Sequence, residues 1–388
     1  MAGPTLWKIE PHTLAKLEIL TYHLKAWFPI LAQGRLRLLY IDGFAGPGEY
    51  IDGEEGSPIL AMRAAAEHIL KSQLTRPGME LVFRFIEEDM ERYQNLVKKL
   101  DAVAEQLHLA LDFLGFRIQP IRGTFESTIE EVLSRLDEQG KRLAPSFVLI
   151  DPFGPAGFPM SWVERVAKYP KTEVLINFSY QPLNRWFLNG PSKHRRVDEL
   201  FGDDRWRSVL SITVPAEKER FLLERYREAL VARGWQGIPF RMVNKHNQTQ
   251  YHLLFGTKHP LGMRCMKRAM WSAAPLGNFQ YSDFATTPEN QLQLFSASKD
   301  EDYAKDLAEL VWQNRAGARV LKAAIENDEF AWHPTAIEKH LTRALQYLEY
   351  EIQPAAITSV DKPSGKRRAK TYPPEREISF APRPHNDG

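Results

Sequence analysis

Between residues 36 and 180, short β-capable runs alternate five times with amphipathic helical segments. The runs are RLRLLYID, MELVFRFIEED, FRIQPI, APSFVLID and TEVLINFSY. Between them lie GSPILAMRAAAEHIL, a segment carrying Tyr93, Leu96, Leu100, Val103 and Leu107, then FESTIEEVLSRLDEQ and FPMSWVERVAKY. Such alternation admits few folds, because each strand must return to the same sheet through a right-handed crossover; it predicts a mostly parallel sheet with helices on both faces. A further helix precedes it over residues 11–33, with Leu14, Leu17, Leu20, Leu24, Trp27 and Leu31 at three- and four-residue spacing and Gly34 as its stop.

Past the alternation, residues 182–233 form a helical, basic insertion, and IPFRMVNKHN and YHLLFGTK read as two strands joined by a short polar turn. An antiparallel hairpin closing a parallel sheet is how methyltransferase-type Rossmann folds end, whereas nicotinamide-type sheets more often stay parallel. From TTPENQLQLF onward the character changes. Helical stretches near 301–315, 316–327 and 335–348 precede a hairpin with a basic tip in AAITSVDKPSGKRRAKTYPPEREISF. Three short helices with a β-wing describe a winged helix. The expected fold is therefore α/β, a Rossmann-like S-adenosylmethionine (SAM) methyltransferase sheet over residues 1–285, with a winged-helix-like α+β domain over 286–388.

Composition narrows the function classes. A net charge of +2 leaves no global attraction for a polyanion, so any nucleic-acid affinity must come from local patches. The single cysteine, Cys265, excludes an internal disulfide framework and a Cys-rich metal site within this chain; no metal ligands are expected. MAGPTLWKIEPHT has no cationic region followed by an apolar block, and no run approaches the ~18 apolar residues that span a bilayer, so a cytoplasmic protein is expected.

The first strand ends in Asp42 and releases into Gly43, Gly46 and Gly48. This G-x-x-G-x-G spacing is not the G-x-G-x-x-G of dinucleotide sites, and no Gly-Lys-Ser/Thr follows as in a P-loop. DGFAGPG instead matches the D-x-F-x-G-x-G signature of SAM methyltransferases, particularly those acting on nucleic acids. The chemistry agrees. SAM has an ammonium and a sulfonium but no pyrophosphate, so an acid can face it, and glycines let backbone approach without Cβ clashes. Asp42, Gly43, Phe44, Ala45, Gly46 and Gly48 are the expected cofactor-side residues, joined by Ser57, which is also expected to cap the next helix ahead of Pro58. At the end of the second strand, FIEED supplies Glu87 for ribose hydroxyls, with Asp89 as a helix cap; alternatively all three acids decorate a helix N-terminus. After the third strand, Thr124 and Phe125 fall near an expected adenine ring, unless Phe125 is core.

The fourth strand ends in Asp151-Pro152-Phe153, at the edge where open α/β sheets place their sites. Amino-methyltransferases acting on nucleobases carry Asp/Asn-Pro-Pro-aromatic there: the side chain and a proline carbonyl accept from the exocyclic amine, and the ring stacks on a base taken out of the stack. Here one proline is missing and Gly154 follows, so an ordinary strand-to-loop turn is the alternative. Carbon methylation of cytosine needs a thiolate, and Cys265 lies in a predicted helix far from this strand in sequence. Two basic stretches could hold nucleic acid: Arg185, Trp186, Lys193, Arg195 and Arg196 after the fifth strand, and Lys366, Arg367 and Arg368 in the hairpin tip. A solvated charged loop is the other reading of both.

Taken together, HTLAKLEILTYHLKAW, YIDGFAGPGEY, GSPILAM, FIEED, LIDPFG, EVLINFS, NRW and YHLLFGTKHPLGMRCMKRAMW resemble the three-Cys-motif partner (TcmP) family over roughly residues 10–275. The resemblance implies a methyltransferase-like Rossmann domain and a separate radical-SAM-like partner protein carrying a three-cysteine motif. His12, Thr13 and Lys16 share one helical face. Similar His/Lys elements line the cofactor site in some ribosomal-RNA adenine methyltransferases, which places Lys16 with the cofactor; otherwise Thr13 caps the helix and Lys16 is solvated. The expected function is SAM-dependent methylation of nucleic acid, DNA or RNA, at a base exocyclic amine; the alternative is a non-catalytic nucleic-acid- or partner-binding subunit of the same fold.

Overall fold

A computed structural model describes residues 4–68, 70–107, 115–152, 159–187, 193–274, 278–283, 300–361 and 369–383, with the backbone alone for Lys71, Trp186 and Phe187. The alternation appears as α1 (Pro11–Ala32), β1 (Arg37–Asp42), α2 (Ser57–Ala66), α3 (Lys71–Leu74), β2 (Glu80–Glu87), α4 (Met90–Gln106), β3 (Phe116–Arg122), α5 (Phe125–Glu138), β4 (Ser146–Ile150), α6 (Met160–Ala167) and β5 (Thr172–Phe178). The insertion forms α7 (Tyr180–Phe187), α8 (His194–Phe201) and α9 (Pro215–Val231), followed by β6 (Gln236–Val243), β7 (Thr249–Thr257), α10 (Pro260–Ser272) and β8 (Gln280–Ser282).

These strands make an eight-stranded sheet in the order β3-β2-β1-β4-β5-β7-β6-β8. β1 to β5 pair in parallel, and β7 runs antiparallel to both β5 and β6. This is the mostly parallel Rossmann-like sheet closed by an antiparallel hairpin that the sequence predicts. The reversed β7 between β5 and β6 separates it from the parallel 3-2-1-4-5-6 order of dinucleotide folds. The short β8, parallel to β6, is an addition that the sequence pattern did not signal. β4 is buried at every position and β5 at all but one, so both read as near-continuous apolar runs. One face packs on α1, α2, α4 and α10 through Leu24, Trp27, Met62, Phe83 and Met266. The other packs on α5, α6 and α9 through Ile129, Val163, Leu222 and Tyr226. Between β1 and β4 the connections depart in opposite directions, and the carboxyl ends of the strands there frame a crevice.

The C-terminal part holds α11 (Asp300–Arg315), β9 (Arg319–Leu321), α12 (Lys322–Ile325), α13 (Glu338–Gln346), β10 (Ile357–Asp361) and β11 (Glu377–Phe380). The last two strands pair antiparallel, as the hairpin reading expects, around residues 362–368, which lie outside the described set. The helix predicted over 316–327 is corrected. Gly317 turns at φ +71°, residues 319–321 become a third strand against β11, and helix begins only at Lys322. This unit has its own core of Leu307, Val311, Phe330, Leu341, Leu345 and Ile378. No helix among the described residues is long and apolar enough to cross a membrane.

The C-terminal unit is joined to the sheet domain through α10. Trp271 Nε1 donates to the Thr335 carbonyl at 2.6 Å, and Arg264 meets Glu326 at 3.4 Å. The fully buried Lys267 donates to the carbonyls of Phe330 (2.6 Å) and His333 (3.1 Å). Burial lowers its ammonium from 10.5 to about 7. A lysine depressed in the fold binds fewer protons folded than unfolded between those values, so this group's contribution rises with pH from about 7 toward 10.5. Lys267→Met is expected to cost about 1–3 kcal/mol by stranding two carbonyls. It should also flatten the gain in urea-unfolding stability above neutrality; an unchanged pH profile would contradict the assignment.

Candidate functional site

Three neighbouring strands end in acids at the carboxyl edge: β2 in Glu87, β1 in Asp42, and β4 in Asp151, the residue after its last position. The turn after β1 is tied to both neighbours, Gly43 N–H donating to the Leu149 carbonyl (3.0 Å) and Ala45 N–H to that of Ile86 (2.8 Å). Glycine is required by space at Gly43 and by backbone at Gly46 and Gly48, the last at φ +85°. A Cβ on Gly43 would lie 2.6 Å from the Phe125 ring, and Gly46 turns through φ +63°.

Asp42 is fully buried and accepts from Ser57 Oγ (2.6 Å) and Phe44 N–H (3.2 Å). The predicted capping role of Ser57 is thereby corrected. Gly56 precedes the helix, and the Ser57 hydroxyl is turned back to Asp42 in the strand end instead. Burial raises the Asp42 carboxyl from 3.8 to about 7, the two hydrogen bonds oppose the rise, and the charge of Asp151 adds to it. Glu87 accepts from Gly46 N–H and Asp89 N–H, both at 2.9 Å, and is raised by burial. Asp89 caps α4 as expected, accepting from the amides of Glu91 and Arg92.

Beside Glu87 opens a cleft of about 490 Å³, lined by Gly43, Phe44, Asp89, Thr124 and Phe125 among others. Thr124 uses its hydroxyl to cap α5, and the Phe125 ring, 1% exposed, forms floor beneath Gly43. On the other side of the glycine turn lies a cavity of about 30 Å³ bordered by Trp7, Lys16, Gly46, Gly48, Tyr50 and Asp151.

Asp151 is held from two sides. Lys16 of α1 forms an ion pair with Oδ2, and Asn177 of β5 donates to Oδ1 at 2.7 Å. Lys16 is only 8% exposed, which removes the solvated reading, and its Nζ stands 5.8 Å from the Tyr251 ring centre. The Tyr251 hydroxyl donates to the carbonyl of His12, and His12 Nδ1 meets Asp283 at 2.9 Å. Thr13 does not cap α1; that position is Glu10. The first two turns of α1 are thus pinned over the crevice. Pro152 is buried, and Phe153 lies outside the described residues.

Of the basic candidates, Arg185, Arg195 and Arg196 are exposed and Lys193 is half-buried. Arg195 pairs with Glu199 at 3.2 Å. α7 begins two residues after β5 ends, so the helix that carries Arg185 leaves the same sheet edge as Asp151. The side chain of Trp186, and Lys366, Arg367 and Arg368, lie outside the described set. Sequence reasoning missed Asn177, Tyr50, Tyr251 and Trp7. Asn177 had a legible signal, a lone amide near the end of an apolar buried strand; the others had none. The acids and backbone amides at this crevice suit a cationic ligand with hydroxyls, and only Arg92 among the residues lining the larger cleft could neutralise a pyrophosphate.

No family model matches the chain, and no curated protein sequence matches it. Solved structures do. TYW2 of M. jannaschii in complex with AdoMet aligns with 64% of this chain and 75% of its own at 10% identity and a TM-score of 0.29. Magnesium protoporphyrin IX methyltransferase (ChlM) of Synechocystis with bound SAH aligns with 64% and 89% at 13% identity and 0.31. Precorrin-6y C5,15-methyltransferase of Geobacter metallireducens aligns with 60% and 87% at 9% identity and 0.26. At this degree of overlap they carry nothing about ligand or reaction.

The buried Asp42 makes a pH prediction. An acid raised in the fold holds its proton where the unfolded chain has lost it, so this group's contribution falls as pH rises between 3.8 and about 7. The slope reaches at most about 1.4 kcal/mol per pH unit. Asp42→Asn should flatten that fall in a urea-unfolding series; an identical slope in both proteins would refute the buried-acid assignment.

Proposed function

We propose that this chain is a SAM-dependent methyltransferase acting on nucleic acid. One observation carries the reading: a glycine turn with Glu87 on one side and Asp151 on the other, at the carboxyl edge of a sheet in which β7 alone is reversed. The residues present fit the cofactor. Glu87 would take the ribose hydroxyls at the edge of the 490 Å³ cleft, Thr124 and Phe44 would border the adenine, and the turn at Gly46 and Gly48 would face the amino-acid end, while Asp42, wholly buried, lines neither cavity and holds the turn through Phe44 and Ser57. When bound, SAM supplies an electrophilic methyl group on its sulfonium.

The chain's own residues supply position and proton acceptance. Lys16 and Asn177 fix the Asp151 carboxylate so that its remaining lone pairs are available to an acceptor N–H. An accepted N–H leaves the nitrogen lone pair directed away from Asp151, toward the cofactor side. Proton transfer to Asp151, directly or through water, completes the exchange of one N–H for one N–CH₃. In this reading Arg185, Lys193, Arg195 and Arg196 hold phosphates. The C-terminal unit acts as a winged helix with Lys366, Arg367 and Arg368 at its tip, and a radical-SAM-like protein with a three-cysteine motif is the partner.

A second reading, a non-catalytic binding subunit, draws on the Lys16 ion pair that already engages Asp151. Calorimetry with SAM and nucleoside mass spectrometry separate the two. The enzyme reading expects SAM to bind, Glu87→Ala to weaken it by about 1.5–3 kcal/mol, and Asp151→Ala, assayed at saturating SAM, to lower methyl transfer to DNA or RNA by about 100-fold. Binding of SAM without S-adenosylhomocysteine formed on any DNA or RNA would support the subunit reading and sink the enzyme.

A further inference from the structure

We propose that residues 4–10 form a strap that closes the amino-acid end of the cofactor site, with Trp7 as its closing group; this rests on the reading above. The segment crosses from the start of α4 to the start of α1, over the glycine turn. Thr5 Oγ1 donates to Glu91 at 2.9 Å, and Arg92 donates to the Pro4 carbonyl at 3.4 Å. Ile51 N–H donates to the Trp7 carbonyl at 3.0 Å. The Trp7 ring meets Tyr50 edge-on at 5.9 Å and lies under the Arg92 guanidinium at 5.1 Å. On its inner side it covers the turn, since a Cβ built on Gly46 would find Trp7 at 3.8 Å and nothing else nearby.

Size makes this a gate. The larger cleft, about 490 Å³, is open beside Glu87 and takes a nucleoside. The cavity between Trp7, Lys16, Tyr50 and Asp151 has about 30 Å³, room for little more than a water or two and too little for a methionine-sized group. The sheet edge and glycine turn are bonded into the core, so the wall able to move is the strap. Every strap residue is exposed or half-buried, and none belongs to the sheet domain's core clusters. It can therefore lift without unpacking the fold. Once a cofactor is seated, Trp7 and Tyr50 wall its amino-acid end off from solvent, and Arg92 links the strap to the helix beside the ribose position.

The test is surface plasmon resonance on the full chain with S-adenosylhomocysteine as probe. Trp7→Ala should raise both association and dissociation rates by about tenfold, with Trp7→Phe in between, because a phenyl ring keeps part of the contact to Tyr50. Wild type that fails to bind while Trp7→Ala binds would support the strap in its strongest form. Unchanged rates with binding intact would overturn the strap and leave the cofactor reading standing. Absence of binding by both proteins, each folded by circular dichroism, would overturn the two together. Amide exchange at Ile51 in the wild type gives a readout without substitution: it should slow when the probe is added, and an unaltered rate counts against the strap.

Discussion

Three carboxylates brought to one sheet edge are the constraint from which the rest of the site follows. Glu87, Asp42 and Asp151 stand at the ends of adjacent strands, and parallel pairing leaves them no freedom to spread apart. Burying an acid without donors is costly, and setting two buried acids and a half-buried one side by side adds mutual repulsion. Each is answered by a different device. Glu87 takes two backbone amides, which binds the glycine turn to the start of α4. Asp42 takes a hydroxyl and an amide, which fixes where α2 begins. Asp151 takes a lysine and an asparagine, which draws α1 over the crevice and β5 against β4. The loops of the site have their shapes because the acids need those donors.

That dependence also explains what could be read from sequence. Strand positions were legible because burial on both faces writes long apolar runs, and the turn after β1 because glycine leaves a visible trace wherever φ is positive or Cβ has no room. The acid at the end of β2 could be chosen among three neighbours because only Glu87 is the last strand residue, while Asp89 has helix-cap geometry. The donors were harder. Lys16 lies 135 positions from the carboxylate it neutralises, and Asn177 lies 26 away. No local pattern links such pairs; only the sheet order brings them together. Ser57 reads from sequence as a helix cap as well as a cofactor-side residue, because the partner its hydroxyl takes, Asp42, is distant in the chain and near in the fold.

The C-terminal unit shows the same limit from another side. Three residues are too few for strand alternation to register, so Arg319–Leu321 looked like part of a helix until its pairing with β11 existed. The junction with the sheet domain was invisible for a different reason. Lys267 sits on α10 among methionines and is wholly buried, where a lysine in sequence suggests solvent. Its ammonium satisfies carbonyls at Phe330 and His333, left by backbone that departs from regular α-helix around Glu326–Phe330. A polar junction of this kind specifies one docking geometry more sharply than an apolar patch would, since sliding it by one turn strands both carbonyls.

The charge layout bears on how an acceptor could reach Asp151 under the proposed reading. The crevice floor is acidic, and the chain as a whole is nearly neutral at +2. The exposed Arg185 is carried by α7, which leaves the same edge after β5. Under that reading a phosphate backbone would be repelled by the floor and drawn to the helix that carries Arg185. A nucleic acid would then lie along the basic side and send only an uncharged part of itself inward. A base in a duplex is stacked and cannot do this; a base in a single strand, or one rotated out, can. The separation of acidic floor from basic side thus favours an unstacked base over an intact helix as the entering group, and it does so through charge and reach alone, without any contact that reads sequence.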